Sequence, residues 1–509
     1  YPEPGLASRR EEAVAKKLVD YKAGLTEEQI RELVRQTAAL KECQEEEDSE
    51  EVKKKIPLLK RSDIRRESIR LYNEEHCVDG ISVVHHDLFT NGIGYLTLLF
   101  NTERVPDEHI PYMGILKSVL GYVDTEHYSY GELFHTINAN SGGIACGLQV
   151  FAKPEEEKDC YRMFGVRAKY LYPKTGFVFS MIREILTSSN LRDEKRLYEI
   201  LASLKSRLQE SLTSAGNSTA VMRAASYDSP MSWFQDRTSG ISFYHLVEDL
   251  EANFQEKKEE LFEILEKLVK EIFRPENLII SFTSEKKGLE KLEQEIPELK
   301  RCLYTEPVDT GSIRYRFEKK NEAFCTSGQV QYVALHGNYK KAGYAYTGAL
   351  RILKVILSYD YLWNNVRVKG GAYGCSGGFQ RNGNVFFASY RDPNLSGTLD
   401  VYRNCPEYIR NFDADEREMT KYIIGTISEL DVPMNPAAKG QLSMSAWFTK
   451  QTEADFQKER DEVLNATAED IRRTADLVEA ALAQNNLCVI GSEAAIQKEK
   501  ELFGAIDRL

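Results

Sequence analysis

No stretch of this sequence approaches the roughly 18 consecutive apolar residues of a membrane-spanning helix. Its first residues, Tyr1-Pro2-Glu3-Pro4-Gly5, carry neither the basic region nor the apolar core of a secretory signal. A membrane association is therefore not expected. An initiator Met is missing too, so the chain is expected to begin inside a longer protein. Nine cysteines are scattered without one CxxC pair, which excludes the usual zinc-ribbon and redox spacings. They read as reduced thiols with no structural disulfide, in the cytoplasm or, in a eukaryote, an organelle matrix. Positive charge is also in deficit: 67 Lys and Arg stand against 79 Asp and Glu, a formal net charge of -12. That balance disfavours a nucleic-acid or anionic-membrane surface and leaves a basic partner open.

A zinc-binding helix is absent as well. None of the eight histidines pairs with another in His-x-x-x-His, His-Glu-x-x-His or His-x-x-Glu-His spacing, which is how a helix sets two imidazoles and a carboxylate around the metal. His85-His86-Asp87 falls at a strand end, where neighbours face opposite ways, so one coherent site is not expected there. Glu126 and His127 with Glu132 and His135 assemble ligands only if a turn gathers them. Cys146 and Cys375 have no histidine nearby in sequence and occupy positions suited to a small apolar side chain. The glycines at 370, 371, 374, 377 and 378 follow a helix instead of preceding one, the wrong order for a phosphate cradle.

What is present is length and a repeat. At 509 residues and 42% hydrophobic, the chain can bury more than one core. A charged helix runs from Ser8 to Lys22, and a second, amphipathic helix opens at Thr26 with Gln29 as its capping-box partner. Ile30, Leu33, Val34 and Leu40 give it an apolar stripe suited to lying on a surface. The acidic run 45–51 then reads as a solvated or linking segment. Beyond it, the strand pattern Gly94–Phe100, a helix over 109–120, helix Tyr130–Asn140 ending at Ser141-Gly142-Gly143, and strands Ile144–Ala152 and Arg162–Leu171 form one order of elements. The same order returns as strand Val330–Leu335, helix Tyr346–Leu357, helix-Gly370-Gly371-strand, and strand Asn384–Arg391. Each round closes on a short apolar strand, Asn277–Phe282 and Asn486–Gly491. A spacing of roughly 210 to 240 residues is too long for a solenoid. It predicts an α+β fold: two tandem copies of one α/β-sandwich domain, each a sheet with helices packed on a face, after a helical linker. The expected divisions are 1–62, 63–275 and 276–509.

One stretch carries candidate chemistry, Leu362-Trp363-Asn364-Asn365-Val366-Arg367-Val368-Lys369-Gly370-Gly371-Ala372-Tyr373-Gly374. A helix should end at the glycine pair, where the backbone turns sharply. Arg367 and Tyr373 then flank the turn and can point at one space, a guanidinium to hold a carbonyl and a phenol to donate to an oxyanion. The plainer reading is a surface ion pair for Arg367 and strand packing for Tyr373.

With the repeat and Arg-Val-Lys-Gly-Gly-Ala-Tyr-Gly together, the chain resembles the C-terminal half of an insulinase/pitrilysin-family zinc metalloendopeptidase, of the presequence-protease branch. Thr90-Asn91-Gly92-Ile93, the segment 121–131, Asn140-Ser141-Gly142-Gly143-Ile144 and Tyr227-Asp228-Ser229-Pro230 extend the likeness in order, and the charged segment before Pro57 resembles the branch's interdomain hairpin. The resemblance implies a clamshell of two halves enclosing a chamber for unstructured peptides, with zinc and its ligands on the absent N-terminal half and no metal ligand here. It implies that Arg367 binds substrate backbone and Tyr373 donates to the tetrahedral oxyanion, while Gly370 and Gly371 shape the turn that presents them. The implied partners are the N-terminal half and peptide substrates; alone, the chain is expected to be inactive. Two rivals stand beside this reading. One is a non-catalytic structural or peptide-binding relative of the same fold. The other is an independent hydrolase using Glu126, His127 and His135.

Overall fold

The computed structural model describes residues 6–46, 49–57, 59–154, 156, 158–308, 311 and 315–509; the opening residues 1–5, positions 47 and 48 of the acidic run, and Leu58 lie outside them. The chain divides into two compact units, Tyr1–Asp63 and Ile64–Leu509. The first unit holds helices Leu6–Ala23, Glu27–Glu45 and Glu50–Lys55. Thr26 starts the second of these as its composition demands. Its hydroxyl accepts from the Gln29 N–H at 3.3 Å, and the Gln29 side chain accepts from the Thr26 N–H at 2.9 Å. The stripe residues Leu33, Val34 and Leu40 are exposed, in contrast to the expected packing.

The second unit contains two six-stranded sheets. The first is built from β1 (Glu74–Val78), β2 (Ile81–Asp87), β3 (Ile93–Asn101), β4 (Ile144–Ala152), β5 (Cys160–Leu171) and β6 (Leu278–Ser284), in the order β1-β2-β6-β3-β5-β4. The second is built from β7 (Glu322–Thr326), β8 (Tyr332–Asn338), β9 (Gly374–Phe379), β10 (Asn384–Tyr390), β11 (Asn486–Ser492) and β12 (Ala505–Arg508), in the order β12-β7-β11-β8-β10-β9. Five positions correspond. In each sheet the closing strand inserts beside an early one in parallel, β6 on β2 and β11 on β7, and every other pairing among these five is antiparallel. The sixth strand differs: β1 joins β2 as a hairpin, whereas β12 comes from the chain's other end and runs parallel to β7.

The division expected after residue 275 falls inside the first copy. β6 lies between β2 and β3, and with the following helix Lys286–Cys302 it brings Ile280, Phe282, Leu292 and Ile296 into the first core. A strand this far along the chain still belongs to the sheet it completes, so the first copy runs through Cys302.

Strand alternation decides which side each residue serves. Leu96, Leu98 and Phe100 of β3 face the first helical layer with Met113, Leu116, Phe179 and Leu265. Val333 and Leu335 of β8 do the same in the second copy with Leu350, Leu353, Leu399 and Ile423. The opposite faces are not open. Helix Gly216–Ser226, from the first copy, lays Ala220 and Ala224 on Tyr332, Ala334 and Ile490 of the second sheet. Helix Pro436–Phe448, from the second copy, lays Met444 and Phe448 on Leu99, Phe151 and Met163 of the first. The copies therefore exchange helices.

Candidate functional site

The turn at Gly370-Gly371 is built from the helix that precedes it. Helix Ala349–Ile356 continues through wider, π-helical turns at Leu357–Tyr361 and Trp363–Lys369, a form that recurs at functional sites. Gly371, at φ +81°, closes the helix by donating to the Arg367 carbonyl at 2.9 Å, and Ala372 donates to the Val366 carbonyl at 3.1 Å. The chain then enters β9, with the Tyr373 N–H donating to the Arg391 carbonyl at 3.3 Å. Asn394 steadies the turn from outside: its amide donates to the Gly370 carbonyl at 2.6 Å, and its own N–H donates to buried Asp392 at 2.9 Å.

Arg367 and Tyr373 come together across this turn. The guanidinium carbon lies 5.6 Å from the Tyr373 ring centre and 4.2 Å from that of Trp363. Trp363 stands four residues before Arg367, so the helix stacks the two, and the indole orients the guanidinium without using its N–H donors. Among the described residues neither Arg367 nor the Tyr373 hydroxyl has a hydrogen-bond or ion-pair partner. Tyr373 is 66% exposed and stacks edge-on to Tyr390, which in turn meets Tyr332. The row places Tyr373 on the sheet face crossed by Gly216–Ser226. The plainer expectations, a surface ion pair and strand packing, do not describe these two side chains.

The repeat supplies an internal comparison. Gly143 has φ +100° where Gly371 has +81°, at the same helix-to-strand exit. Counting from the glycine pair, Ala139 and Ala145 occupy the positions of Arg367 and Tyr373. The turn forms without an arginine or a tyrosine, so its backbone does not explain why they are here.

The other sequence candidates are placed as follows. Cys146 and Cys375 are held away from thiolate chemistry: burial pushes the first up to about 12 and the second up to about 11, with Arg367 opposing only part of the latter. His127 bonds Glu184 at 3.0 Å, and that bond raises its pKa. Glu132 is used as the capping partner of Ser129. These residues do not form the ligand group that the independent-hydrolase rival needs. His85 and His86 do face opposite ways, His85 bonding Ser284 and His86 bonding the Tyr72 carbonyl and Ser281. Sequence reading missed Trp363, whose spacing from Arg367 was available, and Glu74 with His76, which lie on a strand too short and exposed to show alternation. None of the nine cysteines is paired, and no helix among the described residues is long and apolar enough to cross a membrane.

The duplicated sheets and this turn define a class. The family profile described as associated with peptidase family M16, subfamily C, matches residues 1–250, and that of the PreP C-terminal domain matches residues 321–493. The chain belongs to the peptidase M16 family, as the C-terminal half of the presequence-protease type. Its similarities are specific. It is 37% identical to Protein HypA of Clostridium perfringens over 508 residues, covering 99% of this chain and 52% of that protein. It is 28% identical to the chloroplastic/mitochondrial Presequence protease 1 of Arabidopsis thaliana, covering 94% and 44%. The fold also matches the crystal structure of a peptidase M16 inactive domain from Pseudomonas fluorescens, with a TM-score of 0.56 at 13% identity, over 83% of this chain and 98% of that one. The chain spans about half the length of the curated relatives it matches.

Proposed function

We propose that this chain is the substrate-holding half of an endopeptidase that degrades unstructured peptides, acting with an N-terminal half that it closes against. The observation that carries the proposal is the pair of unengaged donors at one turn, Arg367 and Tyr373, at positions where the sister copy has alanines. In this reading Arg367 holds a backbone carbonyl of the peptide, stacked in place by Trp363. Tyr373 donates its phenolic proton to the oxygen of the scissile carbonyl as water adds to the carbon, a bond worth most when that oxygen carries charge. Gly370 and Gly371 set the distance between them.

The turn itself does not fit a metal ion: arginine, tryptophan and tyrosines surround it, none of them a zinc-type ligand, and Asp392 is buried in bonds to Asn394 and Thr398. The cofactor of the full-length enzyme in this reading is zinc, with its ligands on the other half. The compartment in this reading is the cytoplasm, or an organelle matrix in a eukaryote, where unfolded peptides need clearing.

The test uses the protein carrying both halves. Tyr373→Phe is expected to lower kcat by about 10- to 1,000-fold while KM stays within about threefold, because the hydroxyl acts on the transition state. Arg367→Ala is expected to lower kcat and raise KM. Unchanged turnover in Tyr373→Phe overturns the assignment. A preceding half without His-x-x-Glu-His would favour the non-catalytic peptide-binding relative instead.

A further inference from the structure

The hairpin of β1 and β2 is joined by Asp79 and Gly80, both at positive φ (50° and 80°), a two-residue turn of the type that matches strand twist. That turn fixes the register: Val78 opposes Ile81, His76 opposes Val83, and Glu74 opposes His85. Because side chains alternate, Glu74, His76 and His85 are forced onto one face at the sheet edge. Their nearest ligand atoms all lie within 4.8 Å of one another, with Glu74 Oε2 3.9 Å from both His76 Nε2 and His85 Nδ1.

His85 is fully buried, and its tautomer is set by its neighbour. The Ser284 carbonyl can only accept, so His85 Nε2 carries the proton and donates to it at 3.0 Å. Nδ1 therefore presents a lone pair toward Glu74 and His76, and it has no hydrogen-bond partner. His76 Nε2 is likewise buried without one. Two orphaned imidazole nitrogens and a carboxylate oxygen converging on one point is an arrangement that a cation resolves, since buried polar atoms are otherwise paired. The backbone carbonyl behind His85 is the outer partner that orients a metal-bound imidazole.

We infer that Glu74, His76 and His85 form a binding site for a divalent transition-metal ion of the zinc type, which clips the edge strand β1 to β2. Two imidazoles and one carboxylate suit zinc or cobalt better than the oxygen-seeking calcium or magnesium. Bonds of about 2.0 to 2.2 Å put tetrahedral donors roughly 3.3 to 3.5 Å apart. The group must contract by about an ångström to reach that. Glu74, at 54% side-chain exposure, and His76, at 33%, are free to swing, while His85 stays fixed. The fourth position opens to solvent beside Glu74. The site lies in the first sheet, whereas Arg367 and Tyr373 flank an edge strand of the second.

The test is titration of the chain with Zn2+ and Co2+, wild type against His76→Ala and Glu74→Gln, with any metal bound elsewhere cancelling in the difference. His85 is left intact because it is packed in the core. Expected are about one more equivalent of metal in the wild type than in His76→Ala, tetrahedral Co2+ absorption that His76→Ala removes, and binding weakened at least tenfold in Glu74→Gln. Added Zn2+ should raise the wild-type Tm and leave that of His76→Ala unchanged. Equal metal content in wild type and His76→Ala, or an equal Tm response, overturns the inference. No readout involves peptide hydrolysis, so its failure is separate from that of the proposed function.

Discussion

Gly371 sits between the two donors of the proposed site, and at φ +81° it adopts a conformation that costs an ordinary residue about 1 to 2 kcal/mol. Space is not the obstacle, since an added Cβ would meet only Pro393 at 3.5 Å; backbone strain is. Gly370 is limited the other way, because its Cβ would lie 2.5 Å from the Val366 carbonyl oxygen. Gly371→Ala is therefore expected to cost about 1 to 2 kcal/mol in urea unfolding. In the two-half protein it should also reduce turnover less than Tyr373→Phe does. An unfolding free energy equal to wild type would show that the turn relaxes without strain. Trp363 belongs to the same scale: helical spacing sets it under Arg367, and stacking keeps the guanidinium's donors available.

At the scale of elements, the crossing helices carry the distinctive feature. Each brings a glycine against the opposite sheet. A Cβ on Gly216 would meet the Tyr332 ring at 2.3 Å, and one on Gly440 would meet Thr283 Oγ1 at 1.8 Å. In an isolated helix, Gly→Ala gains about 1 kcal/mol from propensity. Here the overlap dominates, and Gly440→Ala is expected to destabilise by a net of about 1 to 3 kcal/mol as Pro436–Phe448 is pushed off the first sheet. A variant as stable as wild type in urea would mean that the helix is not seated as described. The main elements of both copies were legible in the sequence: helix Tyr130–Asn140, the strand after Gly142-Gly143, and their counterparts at Gly370-Gly371 follow glycine, capping and periodicity signals that act locally. The short outer strands β1 and β12 were not, because exposed edge residues need not alternate.

Across the whole molecule, the two copies are joined by a buried ionic knot. Arg223, on the crossing helix Gly216–Ser226, donates to Glu322 of β7 at 2.5 and 2.9 Å and to Asp236 at 2.6 Å, and the Tyr227 hydroxyl donates to Glu322 at 3.0 Å. Burial disfavours the charged guanidinium, but the two carboxylates outweigh it and hold its pKa above the ordinary value. Glu322 and Asp236 are each 3% exposed. Arg223→Met would leave both carboxylates buried without their cation, so a loss of about 3 to 5 kcal/mol is expected in urea unfolding. A loss below about 1 kcal/mol would mean that water or a rearranged partner replaces the arginine.

The amino-acid order by itself determined the duplication, the helix and strand types, the capping at Thr26 and the glycine exit that separates Arg367 from Tyr373, because each depends on backbone preferences within a few residues. Which sheet a helix covers is a different kind of fact. The small apolar face of Gly216–Ser226 would suit either sheet, and only the packed chain decides that it crosses to the second. The same holds for Glu74, His76 and His85, which share a face once a two-residue turn sets the register, and for the first copy's end at Cys302, which depends on a strand returning from far along the chain to fill its own sheet.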